Sequence, residues 1–148
     1  MFDQAKTEDP PFDHARLLDV LARADAARLM VLAETLLPLL DSVEVVQSRT
    51  GLVMLPMRDT VQGTDFHLGE VLVAEAHLRA VGCEGYGMVV GRDLERAMAM
   101  AVVDAAAASL GQTPAIFAFL QAEAAAQVAL DDARLREIEA TRVDMETF

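Results

Sequence analysis

Cysteine is nearly absent from the 148 residues, with Cys83 standing alone. One cysteine forms no internal disulfide, and it supplies neither a cysteine-rich zinc site nor a self-contained iron–sulfur cluster. With no base beside it in the chain, it reads as structural rather than nucleophilic. Lysine is as scarce, Lys6 being the only one, and 12 basic residues face 24 acidic ones for a net charge of −12. So negative a chain is poorly suited to gripping nucleic-acid phosphates or anionic lipid. No run reaches the roughly 18 uninterrupted apolar residues of a membrane span. Arg28, Glu34 and Asp104 break the best candidates. The first 13 residues carry four acids against Lys6, the opposite of a basic targeting start. These absences point to a cytoplasmic protein that engages neither nucleic acid nor membrane.

Apolar residues make up 53% of the chain, and 26 residues are alanine. That is enough for the core of one domain and too short a chain for two. Residues 1–12, with Pro10-Pro11, read as a flexible N-terminal arm, and 13–148 as a single domain. Asp13 and Asp25 are placed to cap two successive helices, whose apolar stripes are Leu17, Val20, Leu21, Ala24 and Leu29, Leu32, Ala33, Leu36, Leu37. The period then changes to two. Val43–Arg49 and Leu52–Arg58 read as strands joined by a tight turn at Thr50-Gly51. A polar loop, 59–65, leads to a long strand, 66–79, in which Gly69 suggests a bulge. Cys83–Val90 forms a fourth strand, with Gly85 and Gly87 on one face and Tyr86, Met88 and Val90 on the other. Short connections favour an antiparallel meander. Asp93 opens a third helix whose only polar side chains from Ala97 to Leu110 are Asp104 and Ser109, and Pro114 starts a fourth. The expected fold is α+β: two N-terminal helices, a four-stranded antiparallel sheet, then two C-terminal helices. A third helix apolar nearly all round must be covered on more than one face, and one sheet covers only one. Isolated, such a chain is expected to dimerise or aggregate.

Three stretches in order resemble one family: Thr50-Gly51-Leu52-Val53-Met54, then Phe66-His67-Leu68-Gly69-Glu70-Val71-Leu72-Val73, then Gly85-Tyr86-Gly87-Met88-Val89-Val90-Gly91-Arg92-Asp93. Leu21-Ala22-Arg23-Ala24, Val103-Asp104-Ala105 and Thr141-Arg142-Val143-Asp144 extend the series. The chain resembles PhnG, a subunit of the carbon–phosphorus lyase core complex of phosphonate metabolism. Where that family often has a tryptophan in the first helix, Leu17-Leu18 stand here, and the loop 59–65 keeps only Gly63-Thr64 of a glycine-rich pattern. The resemblance implies an accessory subunit, required with PhnH, PhnI and PhnL, for displacing adenine from ATP with methylphosphonate. The product is α-D-ribose 1-methylphosphonate 5-triphosphate, whose carbon–phosphorus bond the radical subunit PhnJ then breaks. It also implies that this chain is one subunit of a transferase complex, not catalytic alone, with no cofactor of its own.

The residues agree with a supporting role, because 11 dispersed arginines make no dense triphosphate site. Gly91-Arg92-Asp93 sits at a strand-to-helix junction, where free N–H groups suit an anion and Arg92 adds a bidentate donor. The simpler reading has Asp93 occupying that position as a cap. With Tyr86, Arg92 and Asp93 are candidate anion or partner contacts. Glu75 and His77 share a strand face, two residues apart, with too few further ligands for a metal. They are candidate interface residues, as are Asp104, Met98 and Met100. Asp104, a carboxylate in an apolar helix, needs hydrogen bonds from a partner or an adjacent layer. Two other readings are an autonomous small-molecule-binding enzyme built on Arg92, Tyr86 and His77 or Glu75, and a homo-oligomeric adapter without a catalytic link.

Overall fold

A computed structural model describes residues 12–143. The chain runs α1 (His14–Arg23), α2 (Ala26–Leu36), a 3-10 turn (Leu37–Leu39), β1 (Val43–Arg58), β2 (Asp65–Ala80), β3 (Cys83–Val90), α3 (Leu94–Leu110) and α4 (Pro114–Ala140). The class is α+β, with four α-helices and an antiparallel sheet of order β1-β2-β3. Of the expected arm, residues 1–11 lie outside the described residues, as does Asp144 of the last family-like motif. Phe12 packs edge-on against Phe117, and its carbonyl accepts from Gln112. Among the described residues no helix is long and apolar enough to cross a membrane.

Each helix starts as its sequence dictates. The side chains of Asp13, Asp25, Asp93 and Thr113 accept from the backbone N–H three residues on, and Pro114 fills the first position of α4. Leu17, Val20, Leu21 and Ala24 are buried, as are Leu29, Leu32, Ala33 and Leu36, whereas Leu37 turns outward.

The sheet has three strands, not four. No turn forms at Thr50-Gly51: Thr50 pairs with Ala74, Gly51 with Val73 and Leu52 with Leu72 along one continuous 16-residue strand. A tight hairpin turn needs positive φ, and Gly51 does not adopt it. With β2 equally long, every residue that a turn would have removed finds a ladder partner instead. Leu68 is the extra residue at a bulge, since Leu55 pairs with Gly69 and Pro56 with His67. Pro56 has no N–H to give, which suits an interrupted ladder. The true turns are the loop after β1, where Asp59 accepts from Val61 and Gln62, and Val81-Gly82, both at positive φ.

β3 carries the contact that organises the fold. A Cβ placed on Gly85 would lie 2.1 Å from the Ala101 carbonyl, and one on Gly87 2.0 Å from that of Ala97. Ala97, Ala101 and Ala105 recur every four residues, so one face of α3 lies directly on the strand backbone. α1 and α2 cover the opposite side of α3, and α4 closes over α1 and α2. The third helix is therefore satisfied within the chain. Met100 and Asp104 are buried, and Met98 packs against the core, so the apolar surface expected on this helix is not there.

It lies elsewhere. β3 pairs only with the second half of β2, Val73–Ala80. The other half of the hairpin, 52–58 with 65–72, is a two-stranded ribbon beyond the third strand. Leu52 (61% exposed), Met54, Met57, Phe66 and Leu68 (60%) lie open on it. The end of α4 likewise exposes Val128, Leu130, Leu135 and Ile138.

Candidate functional site

On the sheet face away from α3, β2 presents Glu75, His77 and Arg79 in a row, as the alternation requires. Register brings Arg49 and Met88 beside Glu75, Gln47 and Tyr86 beside His77, and Glu44 and Glu84 beside Arg79. One connected network results. The Tyr86 hydroxyl donates to Glu75, and Arg49 Nε donates to the other Glu75 oxygen at 3.0 Å. His77 lies 3.5 Å from Glu84, with its ring centroid 5.5 Å from that of Tyr86, and Arg79 bridges Glu84 and Glu44. The Tyr86 hydroxyl and the Arg49 guanidinium hold the Glu75 carboxyl below its usual range. The same hydrogen bond, with burial, pushes the Tyr86 phenol up. Among the described residues no three histidine, cysteine or acidic side chains gather as metal ligands. The cluster is a preorganised polar patch of paired charges.

The structure separates the expected trio of Tyr86, Arg92 and Asp93. Tyr86 belongs to the Glu75–His77 cluster through its register with His77. Asp93 caps α3, accepting from Arg96 N at 2.9 Å, and thus occupies the helix N-terminus. Gly91, at φ 106°, makes the turn there, and its N–H bonds the Leu72 carbonyl. Arg92 is exposed beside it.

Asp104 finds its partners inside the chain. One oxygen accepts from the Tyr86 backbone N–H at 2.9 Å, and the other lies 2.8 Å from His14 Nε2. Asp104 is only 3% exposed and so offers no surface to another subunit; the adjacent layer supplies its donors. His14 is exposed and ties the start of α1 to α3 through this bond.

Two buried polar residues of α4 escaped the sequence reading. Glu123 (3% exposed) accepts from Arg28 Nε at 2.6 Å and from the Asp25 backbone N–H at 3.0 Å. Gln127 donates to the Val20 carbonyl at 2.9 Å. Ile116, Leu120, Glu123 and Gln127 form the buried face, while Val128 points out. The elbow between α1 and α2 exposes backbone groups that must be satisfied, so polar residues belong on this face. The missed signal was spacing: both positions continue the 116–120 stripe. α4 runs unbroken through Asp131-Asp132, and Asp131 pairs with Arg23 at 2.8 Å.

A family model described as phosphonate metabolism protein PhnG matches residues 13–148. A curated relative from Rhizobium meliloti (strain 1021), α-D-ribose 1-methylphosphonate 5-triphosphate synthase subunit PhnG, is 33% identical over all of this chain and 97% of its own length. The chain belongs to the PhnG family. The PhnG-like stretch from Gly85 to Asp93 has a clear use in the fold: two glycines admit α3, Tyr86 joins the polar patch, and Gly91 and Asp93 start the helix.

Proposed function

We propose that this chain is the PhnG subunit of an α-D-ribose 1-methylphosphonate 5-triphosphate synthase, acting in the cytoplasm as a companion to PhnI-, PhnH- and PhnL-type subunits and beside a PhnJ-type subunit. The assembled enzyme displaces adenine from ATP with methylphosphonate, and this chain supports that chemistry without performing it alone. The observation that carries the reading is the uncovered ribbon of β1 and β2. Two strands with apolar side chains exposed and, among the described residues, no helix beneath them are marginal in water. Open apolar patches of this kind mark protein–protein surfaces. The Glu75–His77–Tyr86 patch on the same sheet offers paired polar groups for the rim of such an interface, with Arg92 a further exposed contact.

Co-expression of the tagged chain with its PhnI-, PhnH- and PhnL-type partners tests this. The expected result is a copurifying complex that releases adenine from ATP with methylphosphonate, while the chain alone does not and self-associates. Leu52→Ser with Leu68→Ser is expected to leave the melting temperature of the chain nearly unchanged and abolish copurification. Adenine release by the chain alone, or copurification unaffected by these changes, overturns the reading.

A further inference from the structure

β1 is the outer strand of the sheet, and among the described residues nothing pairs with its free edge. A strand of 16 residues with open backbone N–H and C=O groups is a template for another strand. Such edges are protected by lysine, proline and bulges. β1 has no lysine, one proline and one bulge: Pro56, and Val46, which is skipped between the Val45–Leu78 and Gln47–His77 pairs. These two interruptions stand equally far from Gly51, and so do the charges beyond them, Glu44 and Arg58. Nothing among the described residues requires Gly51 to be a glycine. It takes no positive φ, and a Cβ there would meet nothing within 4 Å. A glycine inside a strand weakens it, and such a position often marks the close approach of another backbone. A hollow of about 270 Å³ opens at this point, lined by Arg49, Val53, Val73 and Glu75 among others.

We infer that β1 pairs with β1 of a second copy of this chain, antiparallel and centred on Gly51, joining two three-stranded sheets into one. The symmetry of the sequence fixes that register. Val46 then faces Pro56, which has no N–H to offer, so the two defects fall together and Gln47–Leu55 pairs without interruption. Thr50 lies opposite Leu52 and Ser48 opposite Met54, which gives neighbours to two apolar side chains that stand exposed on the single chain. Arg49 is the only charge between Glu44 and Arg58, and it meets Val53, so no like charges oppose. At each end Glu44 of one copy meets Arg58 of the other. Both are exposed, with Glu44 3.6 Å from Arg79 and Arg58 bonded to Asp65, so each closing contact gathers two acids and two arginines. A slip of register loses both coincidences.

Disulfide trapping of the full chain reads the register directly. Cys83 is the only cysteine, so Cys83→Ser provides a thiol-free background. In it Gly51→Cys is expected to give a cross-linked dimer under mild oxidation, because opposed residues of an antiparallel pair have Cα atoms about 4.5–5.5 Å apart, within disulfide range. Gln47→Cys alone and Leu55→Cys alone do not cross-link, but an equal mixture of the two does, since each faces the other across the pair. Sedimentation equilibrium supplies a second reading. Glu44→Arg is expected to weaken dimerisation about tenfold, because two attractive pairs become repulsive, and adding Arg58→Glu to the same chain restores it. A chain that stays monomeric, a dimer that Gly51→Cys does not trap, or a charge reversal that the second reversal does not rescue overturns the proposal. Trapping of Gly51→Cys to another subunit of the copurified complex, with none between free chains, also overturns it and assigns the edge to a strand of that subunit. The inference stands apart from the synthase reading: a chain that copurifies with its partners yet never traps a second copy fails here alone.

Discussion

Replacing Gly87 by alanine is the most exacting test of the fold, because one methyl group is set against the central helix. Its Cβ would lie 2.0 Å from the Ala97 carbonyl oxygen and 3.0 Å from the Ala101 nitrogen. Favourable non-bonded contact begins at about 3.5 Å, so α3 must lift, or β3 bend, by more than about 1 Å. Neither movement is free. The atoms struck are backbone, and the far side of α3 is already packed against α1 and α2. Overpacking a close-packed core costs about 1–3 kcal/mol, and the upper figure applies where no side chain can swing aside. In a domain of this size about 3 kcal/mol lowers the melting temperature by roughly 6–12 °C. Gly51→Ala is the control. A Cβ there meets nothing within 4 Å, and the residue has no positive φ. Its expected effect is neutral, or stabilising by up to about 1 kcal/mol through the unfolded chain. Thermal unfolding followed by far-ultraviolet circular dichroism distinguishes the two. A Gly87→Ala chain that melts with its parent refutes direct helix-on-strand contact. A Gly51→Ala chain as damaged as Gly87→Ala refutes the continuous β1 and restores a turn.

The remaining predictions concern single side chains. Tyr86 is the only tyrosine and tryptophan is absent, so phenolate absorbance reports Tyr86 alone. It is expected to titrate above the usual value of about 10 and to return toward it in Glu75→Gln; an unmoved titration refutes the pairing. The raised phenol contributes stability that is complete below its unfolded pKa and lost as pH rises through its folded one. The depressed Glu75 carboxyl contributes stability present above its unfolded pKa and lost as pH falls through its folded one. Urea titrations of the wild type and Glu75→Gln should therefore differ most at neutral pH and converge at both extremes. Val81 holds φ 51° in the β2–β3 turn, a conformation costly for a β-branched residue, so Val81→Asn is expected to stabilise by about 1 kcal/mol. A loss of stability in that variant counts against the turn geometry. Asp104→Ala removes the acceptor shared by the Tyr86 backbone N–H and His14 and leaves the buried N–H without a partner. A loss of about 1–3 kcal/mol in urea unfolding is expected, and unchanged stability refutes the link from α3 to β3 and His14.

Local signals were readable from the chain alone wherever one residue type does one job. Asp13, Asp25 and Asp93 declared three helix starts, and the stripes of α1 and α2 declared their buried faces. The Gly85–Gly87 alternation on β3 could be read, but its reason could not, since the three alanines that fill the space lie ten or more residues away in α3. Thr50-Gly51 misled because its composition suits a turn, while the length of β2, which decides the pairing, is not local information. Glu123 and Gln127 carry a spacing signal, but a polar residue reads as surface until the backbone groups it must satisfy are placed, and those, the Asp25 N–H and the Val20 carbonyl, lie 98 and 107 residues earlier.

The misplacement of the apolar surface changes what an assembly role demands. Had α3 been the uncovered element, folding and association would be one event, since no core could form without a neighbour. Instead, α3 is enclosed by the sheet and by α1 and α2, and the uncovered groups sit on projections: the outer β1–β2 ribbon and the end of α4. Folding of the body and docking of the projections are then separable. Core changes such as Gly87→Ala act on both, because they remove the platform. Changes at Leu52 or Leu68 act on docking alone, because those side chains contribute little to a body they scarcely touch. A subunit of this design can fold first and reach outward, which is the arrangement that two strands extending beyond the third one provide.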